Sequence, residues 1–149
     1  RGPVNADRMG NGGSWSIYWY NGYLVNSEIS RGLDIFELKP SEFLTQNEID
    51  ASNTVKFAYL NAQGQPQYEI PNTFVLAQAY LDQLARSGGL PADGITQVRS
   101  ALKQAEGASG SAQKAALTRI ATRLEGSMSG SSDPDKMMML VNTLKGLAG

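Results

Sequence analysis

The chain has 149 residues, with 13 Lys and Arg against 14 Asp and Glu, and it contains neither cysteine nor histidine. A hydrophobic share of 41% is that of a globular chain and not of a disordered one. A net charge of −1 lacks the clustered basic charge of a nucleic-acid binder, and without Cys or His the chain cannot by itself build a disulfide, a thiolate zinc site, a Cys–His pair or a Ser-His-Asp triad.

Residues 1–13 are rich in Gly and Asn and carry no hydrophobic period, so they read as an irregular lead-in. A first residue Arg1 in place of methionine suggests a chain that begins internally, through processing or design. The run Gly10-Asn11-Gly12-Gly13 precedes a strand and has no Lys-Ser/Thr or helix N-terminus after it, so it is not a phosphate loop.

A strand is expected over Ser14–Tyr20, with Trp15, Ile17 and Trp19 on one face and Ser16, Tyr18 and Tyr20 on the other. Asn21-Gly22 is a two-residue hairpin signal, because both central positions of a type I′ turn take positive φ. A second strand follows over Tyr23–Asn26, then a polar turn over Ser27–Arg31 and a third strand over Gly32–Leu38. In the third, Leu33, Ile35 and Glu37 share one side and Asp34, Phe36 and Leu38 the other. Apolar groups on both faces imply burial on both faces. A meander of three such strands needs neighbours on its faces and edges.

Pro40-Ser41-Glu42 is expected to open a short helix with Phe43 and Leu44 packing inward. Thr45-Gln46-Asn47-Glu48 is a capping box that starts a helical segment running to about Ser52. Residues 55–70 look like two extended segments around Ala62-Gln63-Gly64-Gln65, with Pro66 confining the second to an edge or a loop.

From Asn72 onward the apolar period becomes 3.6. Phe74, Ala77, Tyr80, Leu81 and Leu84 share a face of a helix closed by Gly88-Gly89. Pro91 opens the next, with Ile95, Val98, Leu102 and Ala105 inward and Gly107 as its stop. A third runs from about Ala112 to Glu125, with Ala116, Leu117, Ile120, Ala121 and Leu124 inward, and residues 126–132 read as a flexible linker. Asp133-Pro134 caps a fourth, lined by Met137, Leu140, Val141, Leu144 and Leu147. The expected architecture is α+β: a short antiparallel, propeller-blade-like β-meander within residues 1–71, then a four-helix antiparallel bundle in residues 72–149. The first part carries five Lys/Arg against eight Asp/Glu (−3) and the second eight against six (+2), a split that helps the two dock.

The segment Asn21–Leu38 resembles one repeat of the LVIVD-repeat proteins, a family of exported and surface bacterial proteins expected to form β-propellers. The matching positions are Gly22, Tyr23, Leu24 and Val25, then Gly32, Leu33, Asp34, Ile35, Phe36, Glu37 and Leu38. The flanking residues look like the closing region of larger members, in which a helical tail follows. The resemblance implies a terminal blade with a helical tail, an extracellular or cell-surface setting, and partners in upstream propeller blades or another β-rich chain, with a surface assembly also open. It brings no catalytic residues. No stretch approaches the roughly 20 apolar residues of a membrane helix.

Several groups stand out as candidate sites. Trp15, Tyr18, Trp19, Tyr20 and Tyr23 are suited either to stacking on sugar rings, as in a carbohydrate-binding module, or to packing between sheets. Glu28 and Arg31 bracket a loop, as a rim ion pair facing a ligand or as a salt bridge that fixes the loop. Glu28 with Asp34 is the carboxylate pair of a competing reading, a hydrolase fragment whose acid–base groups are completed elsewhere. Asp133 and Asp135 suit a helix N-terminus better than calcium, since no Asp-x-Asp-x-Asp-Gly loop is present, and Asn5 with Asp7 is a weaker case of the same kind. Met137 falls on the core stripe, whereas Met138 falls off it and is a candidate partner contact. No cofactor and no metal site is expected. The functional expectation is a non-catalytic structural or interaction module.

Overall fold

The computed structural model describes residues 5–149; the expectations for Arg1 lie outside them. Three strands, β1 (Ser14–Tyr20), β2 (Tyr23–Glu28) and β3 (Gly32–Glu37), form an antiparallel sheet in the order β1-β2-β3. Asn21 and Gly22 join β1 to β2 with φ of 51° and 99°, the positive values a type I′ turn requires. At Gly22 a side chain is doubly disfavoured, because a Cβ there would lie 2.5 Å from Asn53 Oδ1. β2 runs on to Glu28, two residues past the sequence reading, because Ser27 pairs with both Ser16 and Leu33.

Helix α1 (Gln46–Ser52) starts at Thr45 with both halves of the capping box made. The short helix expected at Pro40–Leu44 is absent. Those residues form bends, Ser41 Oγ turns back to accept from the Phe43 N–H, and Phe43 points to solvent. Residues 55–70 form no strand. They run irregularly, with a single 3-10 turn at Ala62–Gly64 capped by Asn61, because no neighbouring strand offers them a ladder.

Four further helices follow: α2 (Phe74–Ser87), α3 (Ala92–Glu106), α4 (Gly110–Ser127) and α5 (Pro134–Ala148). Each packs on two neighbours, α2 on α3, α3 on α4, α4 on α5 and α5 back on α2, which closes a ring around one core. Connections of a few residues make sequential neighbours run antiparallel. α2 ends at Gly88 in the left-handed conformation, where the Gly88 and Gly89 N–H groups both turn back to the Leu84 carbonyl. Gly107 ends α3 without leaving right-handed φ/ψ. The expected linker at 126–132 is largely structured. α4 continues through Ser127 and a 3-10 turn over Met128–Gly130 leads to the Asp133 cap of α5. Ser131 and Ser132 hydroxyls donate to the carbonyls of Gly89 and Gly88, which ties this corner to the end of α2.

The core consists of α2–α5 alone: Ala77, Leu81, Leu84, Ile95, Val98, Leu102, Ala105, Leu117, Ile120, Ala121, Leu124, Met137, Leu140, Val141 and Leu144. Phe74, Tyr80, Ala116 and Leu147, expected inward, pack against its rim half-buried. A second, smaller cluster joins α1 to α2 through Ala51, Leu76 and Ala79. The sheet contributes nothing to either cluster.

Candidate functional site

The β1–β2–β3 register assigns side chains to faces. One face carries the rows Tyr18–Val25–Ile35 and Tyr20–Tyr23–Glu37; the other carries Trp19–Leu24–Phe36 and Ile17–Asn26–Asp34. A bulge between Ser14 and Ser16 leaves Trp15 without an opposing residue and turns it out, 78% exposed. Leu33 and Ile35 are 60% and 62% exposed, and Ile17, Tyr18, Tyr23 and Phe36 are exposed as well. Both faces therefore present large apolar groups that the described residues leave open.

The sheet meets the rest of the chain at its hairpin end. The Asn21 amide donates to the Phe57 carbonyl at 2.9 Å and accepts the Phe57 N–H at 2.7 Å, closing a two-bond clamp. Tyr20 Oη donates to the same carbonyl at 3.1 Å. Trp19 stacks on Tyr68 at 6.4 Å and 19° and meets the Phe57 ring edge-on at 6.3 Å. The five aromatics of the sequence reading are thus divided. Trp19 and Tyr20 are half-buried in the clamp, whereas Trp15, Tyr18 and Tyr23 stand free on the sheet. Tyr68 and Phe57 complete the aromatic cluster and were not anticipated, since their neighbourhood carries no strand or helix period.

Beside Trp19 a cavity of about 230 Å³ opens between sheet and α1, lined chiefly by Leu38, Leu44, Ile49, Val55 and Ile70. Trp19 Nε1 is buried with no hydrogen-bond partner among the described residues.

At the opposite end, lead-in residues 5–13 pass near the β2–β3 turn and leave a cleft of about 700 Å³ lined by Asp7, Arg8, Glu28, Arg31, Asp34 and Phe36, among others. Glu28 is buried and accepts three main-chain N–H groups, from Gly13 at 2.7 Å, Ser30 at 2.9 Å and Arg31 at 2.6 Å. The Gly13 N–H is the main cause that holds its carboxyl below the usual range; burial opposes this, and the Ser30 and Arg31 N–H groups and the Arg31 charge add to it. Glu28 is therefore an ionised anchor for the turn, engaged with the Arg31 backbone. Such a carboxylate does not hold the proton that a general acid needs at neutral pH. Asp34 lines the same cleft, buried, opposite Asn26 in the ladder, and the Ser14 hydroxyl donates to Asn26 Oδ1.

Among the described residues no group of three acidic side chains is placed to hold a metal ion. Asp133 caps α5 by accepting the Lys136 N–H, and Asp135 sits in its first turn. Asn5 accepts the Asp7 N–H in a local turn. Met137 is fully buried in the bundle, while Met138 is 43% exposed on the outer side of α5. Among the described residues no helix is long and apolar enough to cross a membrane. No family model matches the chain, and neither a curated protein nor a solved structure shows significant similarity to it.

Proposed function

We propose that the chain is a non-catalytic structural and interaction module, a blade-like sheet that docks against further β structure and is carried on a helical bundle. The observation that carries this reading is the sheet itself: three strands that leave Ile17, Tyr18, Leu33, Ile35 and Phe36 exposed, with α1 beside the Trp19 and hairpin end. A sheet of three strands is marginal unless a face is covered, and contiguous exposed apolar surface on a folded unit marks a site of association. In a propeller each blade packs on two others, which supplies that cover. The likeness of residues 21–38 to an LVIVD repeat supports the same arrangement, with partners in other blades or another β-rich chain, and is the sole support for an extracellular or cell-surface setting.

Fluorescence of a hydrophobic anilinonaphthalene dye tests the open sheet in the native chain. The wild type is expected to bind dye under conditions where helical circular dichroism is intact. Tyr18→Ser with Ile35→Ser is expected to remove most of that signal at unchanged helical content. A native chain that binds no dye would refute the reading.

A further inference from the structure

The two edges of the sheet differ in a way that bears on what pairs with them. Tyr20 and Tyr23 flank the two-residue turn, so they form a doubly hydrogen-bonded pair and the ladder alternates from there. Tyr18 and Ser16 then bond to β2, while the N–H and C=O groups of Ile17 and Trp19 point away from the sheet along the outer edge of β1. Among the described residues no loop or turn backbone group bonds to Ile17 or Trp19. A row of such groups is satisfied by another extended main chain.

Edge strands ordinarily carry a charge or a proline against this kind of pairing. β3 does, with Asp34 and Glu37 in the strand and Lys39 just after it. β1 does not. Residues 9–27 contain no Asp, Glu, Lys, Arg or Pro; the bulge by Trp15 interrupts the edge at its start, and Phe57 packs beside its far end at Trp19 and Tyr20.

We propose that two copies of this chain pair antiparallel through the outer edges of β1, with Ile17 facing Ile17 of the second copy on the two-fold axis. The parity agrees. Ile17 and Trp19 carry the outward main-chain groups, and pairing about Ile17 sets each Tyr18 opposite Ser16 of the other copy, while each Trp19 falls opposite the bulge at residue 15. Of the two edges, charge favours this one for self-pairing: two β1 strands meet with no charged side chain on either, whereas β3 on β3 would bring the carboxylates of Asp34 and Glu37 of both copies together. The product is a six-stranded sheet with both apolar faces continuous across the axis. The proposal rests on the sheet being an interaction surface and names its edge partner.

Sedimentation velocity of the full chain from low micromolar to near-millimolar concentration, with amide hydrogen exchange at both ends of the range, tests it. A shift from monomer to dimer is expected, with the Ile17 and Trp19 amides exchanging about tenfold more slowly at the high end. Ile17→Lys, which sets two like charges on the axis, is expected to stay monomeric, and Leu33→Lys on the β3 edge to dimerise like the wild type. A wild type that remains monomeric with unchanged exchange overturns self-pairing, and so does an Ile17→Lys chain that dimerises normally. Dye binding by such a monomer would leave the open sheet standing as a surface for a different β partner.

Discussion

The Thr45 hydroxyl donates to Asp82 Oδ2 at 2.6 Å while accepting the Glu48 N–H at 3.3 Å, so one side chain both caps α1 and fastens it to α2. Asp82 is the hub of that junction. Its carboxylate also accepts from Asn47 Nδ2 at 2.8 Å and from the Arg99 guanidinium of α3, and Arg99 reaches Gln78 as well. Burial alone would push the Asp82 carboxyl up, but hydrogen bonds from Thr45, Arg99 and Asn47 and the Arg99 charge outweigh it and hold the group below its ordinary value.

Removing the hub leaves three polar partners to be satisfied elsewhere. Asp82→Ala is expected to cost about 2–3 kcal/mol, read by urea denaturation followed through helical circular dichroism. A loss under about 0.5 kcal/mol would show that the network is satisfied by water instead.

Glu48 sets an acid limit on the same junction. Burial raises its pKa, but the paired Arg86 hydrogen bonds at 2.7 and 3.1 Å, the Thr45 N–H, Gln83 and the Arg86 charge bring it down from 4.5 to about 2. The unfolded chain thus binds the proton first as pH falls. The contribution of Glu48 is complete above its unfolded value of 4.5 and is lost as pH drops toward about 2. Thermal melting across that range is expected to show a falling midpoint in the wild type. Glu48→Gln should melt lower near neutrality and show a flatter acid limb.

The Asn21 clamp holds the sheet to the rest of the chain and is separable from the bundle core. Asn21→Ala removes two hydrogen bonds to Phe57 and places alanine at positive φ. The expected result is a local destabilisation of about 1–3 kcal/mol, seen as faster amide exchange in β1 and β2 with little change in α2–α5. Uniformly faster exchange throughout the helices would contradict the independence of the two parts.

Met138 and Leu140 of α5, two residues apart, should behave oppositely. Leu140 is fully buried, so Leu140→Ala is expected to cost about 2–5 kcal/mol through lost burial and the cavity left behind. Met138 is 43% exposed, and Met138→Ala is expected to change stability by less than about 0.5 kcal/mol. Chemical denaturation of the two variants under one protocol checks both.

The bundle was legible because its signal is local and repeated: Ile95, Val98, Leu102 and Ala105 recur at helical spacing, and all four are buried. Asn21-Gly22 was legible because only a few residue types accept two consecutive positive φ values. The helix expected from Pro40-Ser41-Glu42 failed because a start signal without a following apolar stripe has no core to bury against. The linker reading at 126–132 failed because small polar residues such as Ser131 and Ser132 can hydrogen-bond distant carbonyls, which composition does not reveal.

Local periodicity and turn chemistry were enough to place three strands and the helices of the bundle, since each depends on neighbours within a few positions along the chain. Tertiary contact alone decided which polar and aromatic groups work together. Asp82 lies 37 residues from Thr45, and Asn21 lies 36 from Phe57. Trp19 finds Tyr68, which lies in an irregular stretch beyond β2, β3 and α1. Pairings at such separations depend on where whole elements come to rest, and no short-range pattern encodes that.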